Sequence, residues 1–331
     1  MSAPTPLLID GLQCGPYDRT VFEQLRAGGV TCATATIAFW EDAVESMDAL
    51  VRWHDLIDAN SDLVVQATTA ADIEQARADG RTAILLGAQN ASPLQSRLGF
   101  VRLFHNMGLR VMQLTYNNNN EFGGSCYEET DPGLGRFGRE IVTEMNAVGI
   151  LVDLSHCGER TRREAIEHAT LPVAVTHANP RSLYDHPRNV GDDTLRALAE
   201  RGGVLGLATY HSISGKYAAT LDDWCRMVTE TVELMGVDHV AIGTDLSPKA
   251  GPAEFDWMRR GRWTRAEQRG ADLGAGAPPE VTGPTEWLAD ASGLAAVAGH
   301  LTARFGFAPE EAEAVTGGNW LRLYRTVFAG T

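Results

Sequence analysis

The sequence predicts an α/β fold, a (β/α)8 barrel of the TIM type, on three observations. Short apolar runs rich in β-branched residues recur along the chain, and segments of helical period separate them. No G-x-G-x-x-G or G-x-x-x-x-G-K-[ST] follows any run, which removes the usual nucleotide-binding form of the competing doubly wound sheet. Near-continuous apolar strands alternating with amphipathic helices indicate parallel strands covered on the outside.

The strand-like runs, in order, are "LLID" (7–10), "VTCATATIA" (30–38), "TAILLGAQ" (82–89), "RVMQLTY" (110–116), "ILVDLSH" (150–156), "PVAVTHA" (172–178), "GVLGLATY" (203–210) and "HVAIGTD" (239–245). Eight βα units in about 250 residues is the size of such a barrel. Among the helical segments, "RTVFEQLRAGG", "GRFGREIVTEMNAVG" and "TLDDWCRMVTETVELMG" each close on a Gly suited to a helix C-cap. The chain is read as one domain over 1–331, with a long loop at about 246–284 and extra C-terminal helices at about 287–328 packed on the barrel. Long loops inside compact domains tend to be functional or disordered. Within this one, "DWMRRGRW" suits either a lid over an anionic substrate or a surface helix.

With 44% hydrophobic and 21% charged residues, the 331-residue chain has ample material for a core. Its 28 Lys+Arg against 43 Asp+Glu leave a net charge of −15 without a basic cluster, which argues against nucleic acid as a partner. The start "MSAPTPLLIDG" has neither a basic leader nor a long apolar stretch, and no window reaches membrane-span length, so the expected location is cytoplasmic, away from membranes. Five scattered cysteines (Cys14, Cys32, Cys126, Cys157, Cys225) without a CxxC are expected to be reduced thiols rather than a disulfide framework.

In a barrel of this type function gathers at the C-terminal strand ends. Those ends carry Asp10, Gln89, Tyr116, His156, His177, Tyr210 and Asp245, with Cys14 and Arg188 in the loops beyond. Two imidazoles on adjacent strands with a nearby carboxylate suit Zn²⁺, which takes His nitrogen and carboxylate oxygen. The plainer reading of either His alone is a cap on a neighbouring carbonyl. Arg188 on its own reads as a surface charge, and Cys14 as a small buried hydrophobe.

Taken together, "GRFGREIVTEMNAVGILVDLSHCGERTRREAI", "PVAVTHANPRSLYDHPRNVGDDTLRAL", "MGVDHVAIGTDL" and the terminal "GGNWLRLY" resemble the membrane (renal) dipeptidase family of zinc peptidases. The similarity runs from about 7 to 326. It implies a metallo-dependent hydrolase-like barrel, a homodimer, and a dinuclear zinc site that hydrolyses dipeptides. It implies further that His156 and His177 ligate one zinc, that Asp245 lies near the substrate amino group and moves the proton, and that Arg188 holds the substrate carboxylate. The residue types agree, since a guanidinium fork matches a carboxylate and an acid beside the reacting bond can shuttle a proton.

The chain also departs from that pattern. Where the family opens with a His-x-Asp pair it has Leu12 and Cys14, and its bridging glutamate falls on Leu86. A further histidine is replaced by Tyr116, which is expected to line the substrate site. The expectation is therefore one zinc or none, held by His156 and His177 with Asp245 or a Cys14 thiolate as third ligand. The function expected is a metallohydrolase of a dipeptide or N-substituted amino acid carrying a carboxylate. Two alternatives are a non-hydrolytic tailoring enzyme on the same scaffold and a catalytically silent carboxylate-binding homologue.

Overall fold

In the computed structural model, which describes residues 7–261 and 285–330, a ring of parallel strands closes on itself. The strands are β1 (Ile9–Gln13), β2 (Cys32–Ala38), β3 (Val64–Gln66), β4 (Thr82–Ala88), β5 (Leu109–Gln113), β6 (Leu151–Asp153), β7 (Ala174–Ala178), β8 (Val204–Leu207) and β9 (Val240–Ile242). β2 pairs with both β1 and β4, and β9 pairs with β1, so the ring runs β1-β2-β4-β5-β6-β7-β8-β9 and back. This is the TIM barrel the alternation predicts. β3 stands outside the ring, paired only with β4. Its Val65 and Gln66 are only partly buried, so it lacks the continuous apolar run that marks the ring strands, which is why the sequence hides it.

Alternation along the strands divides the interior into two layers. Ile9, Ala83, Leu85, Val111, Leu151, Ala174, Val204 and Ala241 pack together with Trp320 and Tyr324 in one cluster. Leu8, Ile84, Leu86, Met112, Val152, Val175, Leu205 and Ile242 pack in another with residues of the surrounding helices, such as Phe22, Ile141, Leu195 and Met227. The first cluster is the bore and the second is the jacket.

The C-terminal helix Asn319–Val327 supplies the bore with Trp320, fully buried, whose Nε1 donates to the Ile242 carbonyl at 2.8 Å. Trp320 and Tyr324 stack at 5.7 Å, and Tyr324 and Phe328 at 5.1 Å, so an aromatic column fills one end. Gly11 makes room for it, because a Cβ there would come within 2.4 Å of the Trp320 ring. After β9, the loop folds into a helix at Pro252–Arg260, where the Trp40 indole donates to the Met258 carbonyl and Trp257 to Glu41. The remainder of the long loop, including Trp263, lies outside the described residues. Among the described residues, no helix is long and apolar enough to cross a membrane.

Candidate active site

β6 and β7 are adjacent in the ring, and this places His156 and His177 side by side, their Nε2 atoms 3.1 Å apart. His156 lies in the turn after β6 and His177 within β7, 7% and 0% exposed. Each ring is held from behind. The Nδ1 of His156 meets Asn117 Oδ1 at 2.7 Å, and the Nδ1 of His177 meets Thr176 Oγ1 at 2.8 Å. The Thr176 hydroxyl proton goes to Asp153 at 2.7 Å, so the hydroxyl receives the imidazole N–H and the network assigns the His177 proton to Nδ1. Asn117 Oδ1 can only accept, which assigns the His156 proton to Nδ1 as well.

Burial first, then the positive charge of Arg188, pushes both imidazoles well below the ordinary histidine range, so both are neutral. Two bare Nε2 lone pairs therefore face one point. Lone pairs at that separation repel unless a cation or a proton lies between them, and neutral imidazoles with outer N–H groups tied to oxygen are the form that binds metal.

Arg188 lies immediately behind the pair, 2% exposed. It donates Nη1 to the Ser155 carbonyl and Nη2 to the His177 carbonyl, the latter at 2.8 Å. A guanidinium has five N–H donors, so these two bonds leave donors for a ligand. The PRN loop that carries it is itself tied down, with Asn189 Nδ2 donating to the Tyr184 and Ile213 carbonyls. The surface reading of Arg188 is thus overturned by its burial.

Asp245 follows β9 in a left-handed backbone conformation, φ 61°, which turns its side chain away from the direction the strand would give it. Its carboxylate meets the Cys14 thiol at 3.6 Å, and Cys14 in turn lies 3.1 Å from the Ser247 hydroxyl. Desolvation pushes the Asp245 carboxyl up to about 6, against the opposing pull of Arg188. Tyr116 lies tilted against His156, ring centroids 4.3 Å apart and planes at 34°, and meets Phe39 and Trp40 edge-on. Cys14, Phe39, Trp40, Tyr116 and Met258 form a separate apolar cluster, which links the two halves of the site.

This geometry corrects two expectations, at Leu86 and at Asp10. Burial and the neighbouring Asp245 charge push the metal-free Cys14 thiol well above the usual range, whereas a coordinating metal would deprotonate it. Among the described residues no three His, Cys, Asp or Glu side chains converge on one metal position. Leu86 does not occupy the place of a bridging ligand, since it packs in the jacket while Leu85 packs in the bore. The residue that β4 delivers past its end, in register with the bore, is Gln89, which donates to Thr36 at 3.0 Å. Asp10 also leaves the set of strand-end groups, because β1 continues to Gln13 and the Asp10 carboxylate is fully buried against Thr244, Gln13 and Leu12.

Sequence reasoning missed the residues that orient the histidines. Asn117 reads as one letter of a polar loop, and only its φ of 58° and its bond to His156 separate it from its neighbours. Asp153 and Thr176 are visible as polar interruptions, each directly after an apolar strand residue, Val152 and Val175, a signal that their burial makes meaningful.

Comparison with known proteins agrees with the fold. An amidohydrolase from Pseudomonas aeruginosa superposes with a TM-score of 0.91 at 34% identity, covering 98% of this chain and 97% of that one. A metallo peptidase from Rhodobacter sphaeroides, liganded with a phosphinate mimic of the dipeptide L-Ala-D-Ala, shares the fold with a TM-score of 0.77 at 19% identity, over 98% of this chain and 99% of that one. An uncharacterized dipeptidase of Schizosaccharomyces pombe is 32% identical over 211 residues, 62% of this chain and 50% of that protein. The chain spans about half the length of the curated relatives it matches. The sequence profile of membrane dipeptidase, peptidase family M19, matches residues 17–259, and the chain belongs to that family, whose metallopeptidase character implies a metal cofactor.

Proposed function

We propose that this protein is a metal-dependent hydrolase of a dipeptide or N-substituted amino acid with a free carboxylate, using one zinc ion. The observation that carries this reading is the pair of neutral imidazoles whose Nε2 atoms face each other at 3.1 Å with both Nδ1 atoms anchored. His156 and His177 would hold the metal. When bound, it would supply Lewis-acid polarisation of the scissile carbonyl and a more acidic water. One ion rather than two is supported by Leu12 and Gln89, whose side chains offer no anionic ligand.

The other roles belong to the chain's own groups. Arg188 orients the substrate by its carboxylate through the donors that Ser155 and His177 do not use. Asp245, with its carboxyl near 6, accepts a proton from the attacking water and returns it to the leaving nitrogen. The Tyr116 ring covers His156 and excludes water from that side. A dipeptide-like ligand is further supported by the phosphinate dipeptide mimic held by the Rhodobacter sphaeroides peptidase.

The test is a panel of dipeptides and N-acyl amino acids, each with its C-terminal amide, incubated with the zinc-supplemented protein and read as released amine. Release from acids and not from amides is expected, and His156→Ala and His177→Ala should each abolish it. If no member of the panel is cleaved by the wild type at any metal loading, the hydrolase reading fails and a silent carboxylate binder takes its place.

A further inference from the structure

Arg162 is a fully buried cation that the roles above do not use. It sits in the helix Glu159–His168 at 0% exposure, among the largest buried side chains of the described residues. Removing a guanidinium from water is expensive unless its donors are met, so a fully buried one asks for a reason. Glu159, itself 35% exposed, approaches Nη1 at 3.3 Å and forms a salt bridge with it. The other contacts are backbone carbonyls. Nε donates to Leu154 at 3.1 Å, Nη1 to Asn189 at 3.2 Å, and Nη2 to Ser155 at 2.8 Å and to Arg188 at 3.1 Å.

These four carbonyls fall in two places. Leu154 and Ser155 immediately precede His156, and Arg188 and Asn189 are the loop that carries the carboxylate fork. One planar group thus fastens the β6 turn to the PRN loop. The Ser155 carbonyl accepts from both Arg162 and Arg188, so two guanidinium groups converge on one oxygen. Two cations so placed repel each other, and an anion bound at Arg188 relieves that repulsion.

We infer that Arg162 is a positioning residue for the carboxylate site: it fixes the Arg188 fork relative to His156 and adds positive potential that favours an anionic ligand there. This rests on the proposed carboxylate-bearing substrate. Arg162 touches no substrate atom in this account and acts only through Arg188 and the β6 turn. An ammonium at the same position cannot reach four carbonyls in a plane, so Arg162→Lys keeps the charge and loses the clamp.

The experiment is calorimetric titration of the zinc-supplemented full chain with N-acetyl-L-phenylalanine and with its C-terminal amide, in the wild type, Arg162→Lys and Glu159→Gln. The wild type should bind the acid about tenfold or more tightly than the amide, the difference expected of charge-assisted hydrogen bonds. In Arg162→Lys that ratio should fall to roughly threefold or less while amide affinity and zinc content stay at wild-type level. A purely structural role would weaken acid and amide alike. If Arg162→Lys does not fold, Glu159→Gln decides: it removes a partly exposed counter-charge and keeps the clamp, so the acid-to-amide ratio should rise. A ratio unchanged in every variant that folds overturns the role of Arg162 and leaves the carboxylate reading intact. A wild type that does not prefer the acid overturns both.

Discussion

Asp245 shows how one side chain is tuned by its surroundings. Its carboxyl stands near 6 because desolvation outweighs the attraction of Arg188, and the folded value lies above the ordinary 3.8. A raised carboxyl means that the folded state binds the proton more tightly than the unfolded state does. Its contribution to stability is therefore present below about 4 and lost as pH rises through about 6. Asp245→Asn should remove that penalty. The variant is expected to melt higher than the wild type at pH 7.5, with the gain vanishing near pH 4, while hydrolysis is lost. The wild-type rate should fall on the acid side as Asp245 takes up its proton around pH 6. Thermal melts at the two pH values check the first part. An equal Tm difference at both would show that the carboxyl is not strained by burial. At the same scale, Gln89 and Cys14 fill the mouth of the ring with an amide and a thiol that meet the Thr36 and Ser247 hydroxyls.

Elements are legible where a continuous apolar run meets a polar or glycine boundary, whatever their length. The strands of the ring carried apolar runs long enough to show against polar boundaries, and helices such as Arg136–Val148 and Leu221–Met235 ended at glycines as their sequences suggest. β3 and the helices Ala43–Ala59 and Ala70–Ala78 were not anticipated, although Asp42 with Glu45 and Thr69 with Asp72 form capping boxes there. Strand ends were the weakest part. Asp10 reads as a terminus, yet β1 runs on through Gly11 to Gln13, because the glycine that looks like a breaker makes room for Trp320. Substituting Gly11→Ala should destabilise the protein by about 1–3 kcal/mol, the cost of forcing a methyl group into a packed core. Denaturant unfolding measures this. A loss under about 0.5 kcal/mol, the range of a neutral surface change, would mean that the Trp320 ring moves aside freely.

For the whole molecule, the ring closure does the work that the linear sequence cannot display. The histidines, 21 positions apart, meet because β6 and β7 are neighbours, and Asp245 meets Cys14 across 231 positions because β9 returns to β1. The histidine pair could be read from two similar strand ends. Its orienting partners are legible only in part: Asp153 and Thr176 stand out as polar residues in the apolar strands β6 and β7, whereas Asn117 gains its role only where the loop after β5 meets His156. The central claim is that His156 and His177 seat a single metal ion. Crystals of the zinc-supplemented full chain, measured at the zinc absorption edge, test it most directly. One anomalous peak about 2.0–2.1 Å from both Nε2 atoms, the usual zinc–imidazole distance, is the predicted result. No peak between the two imidazoles, or a second full-occupancy peak beside Cys14 and Gln89, would contradict it.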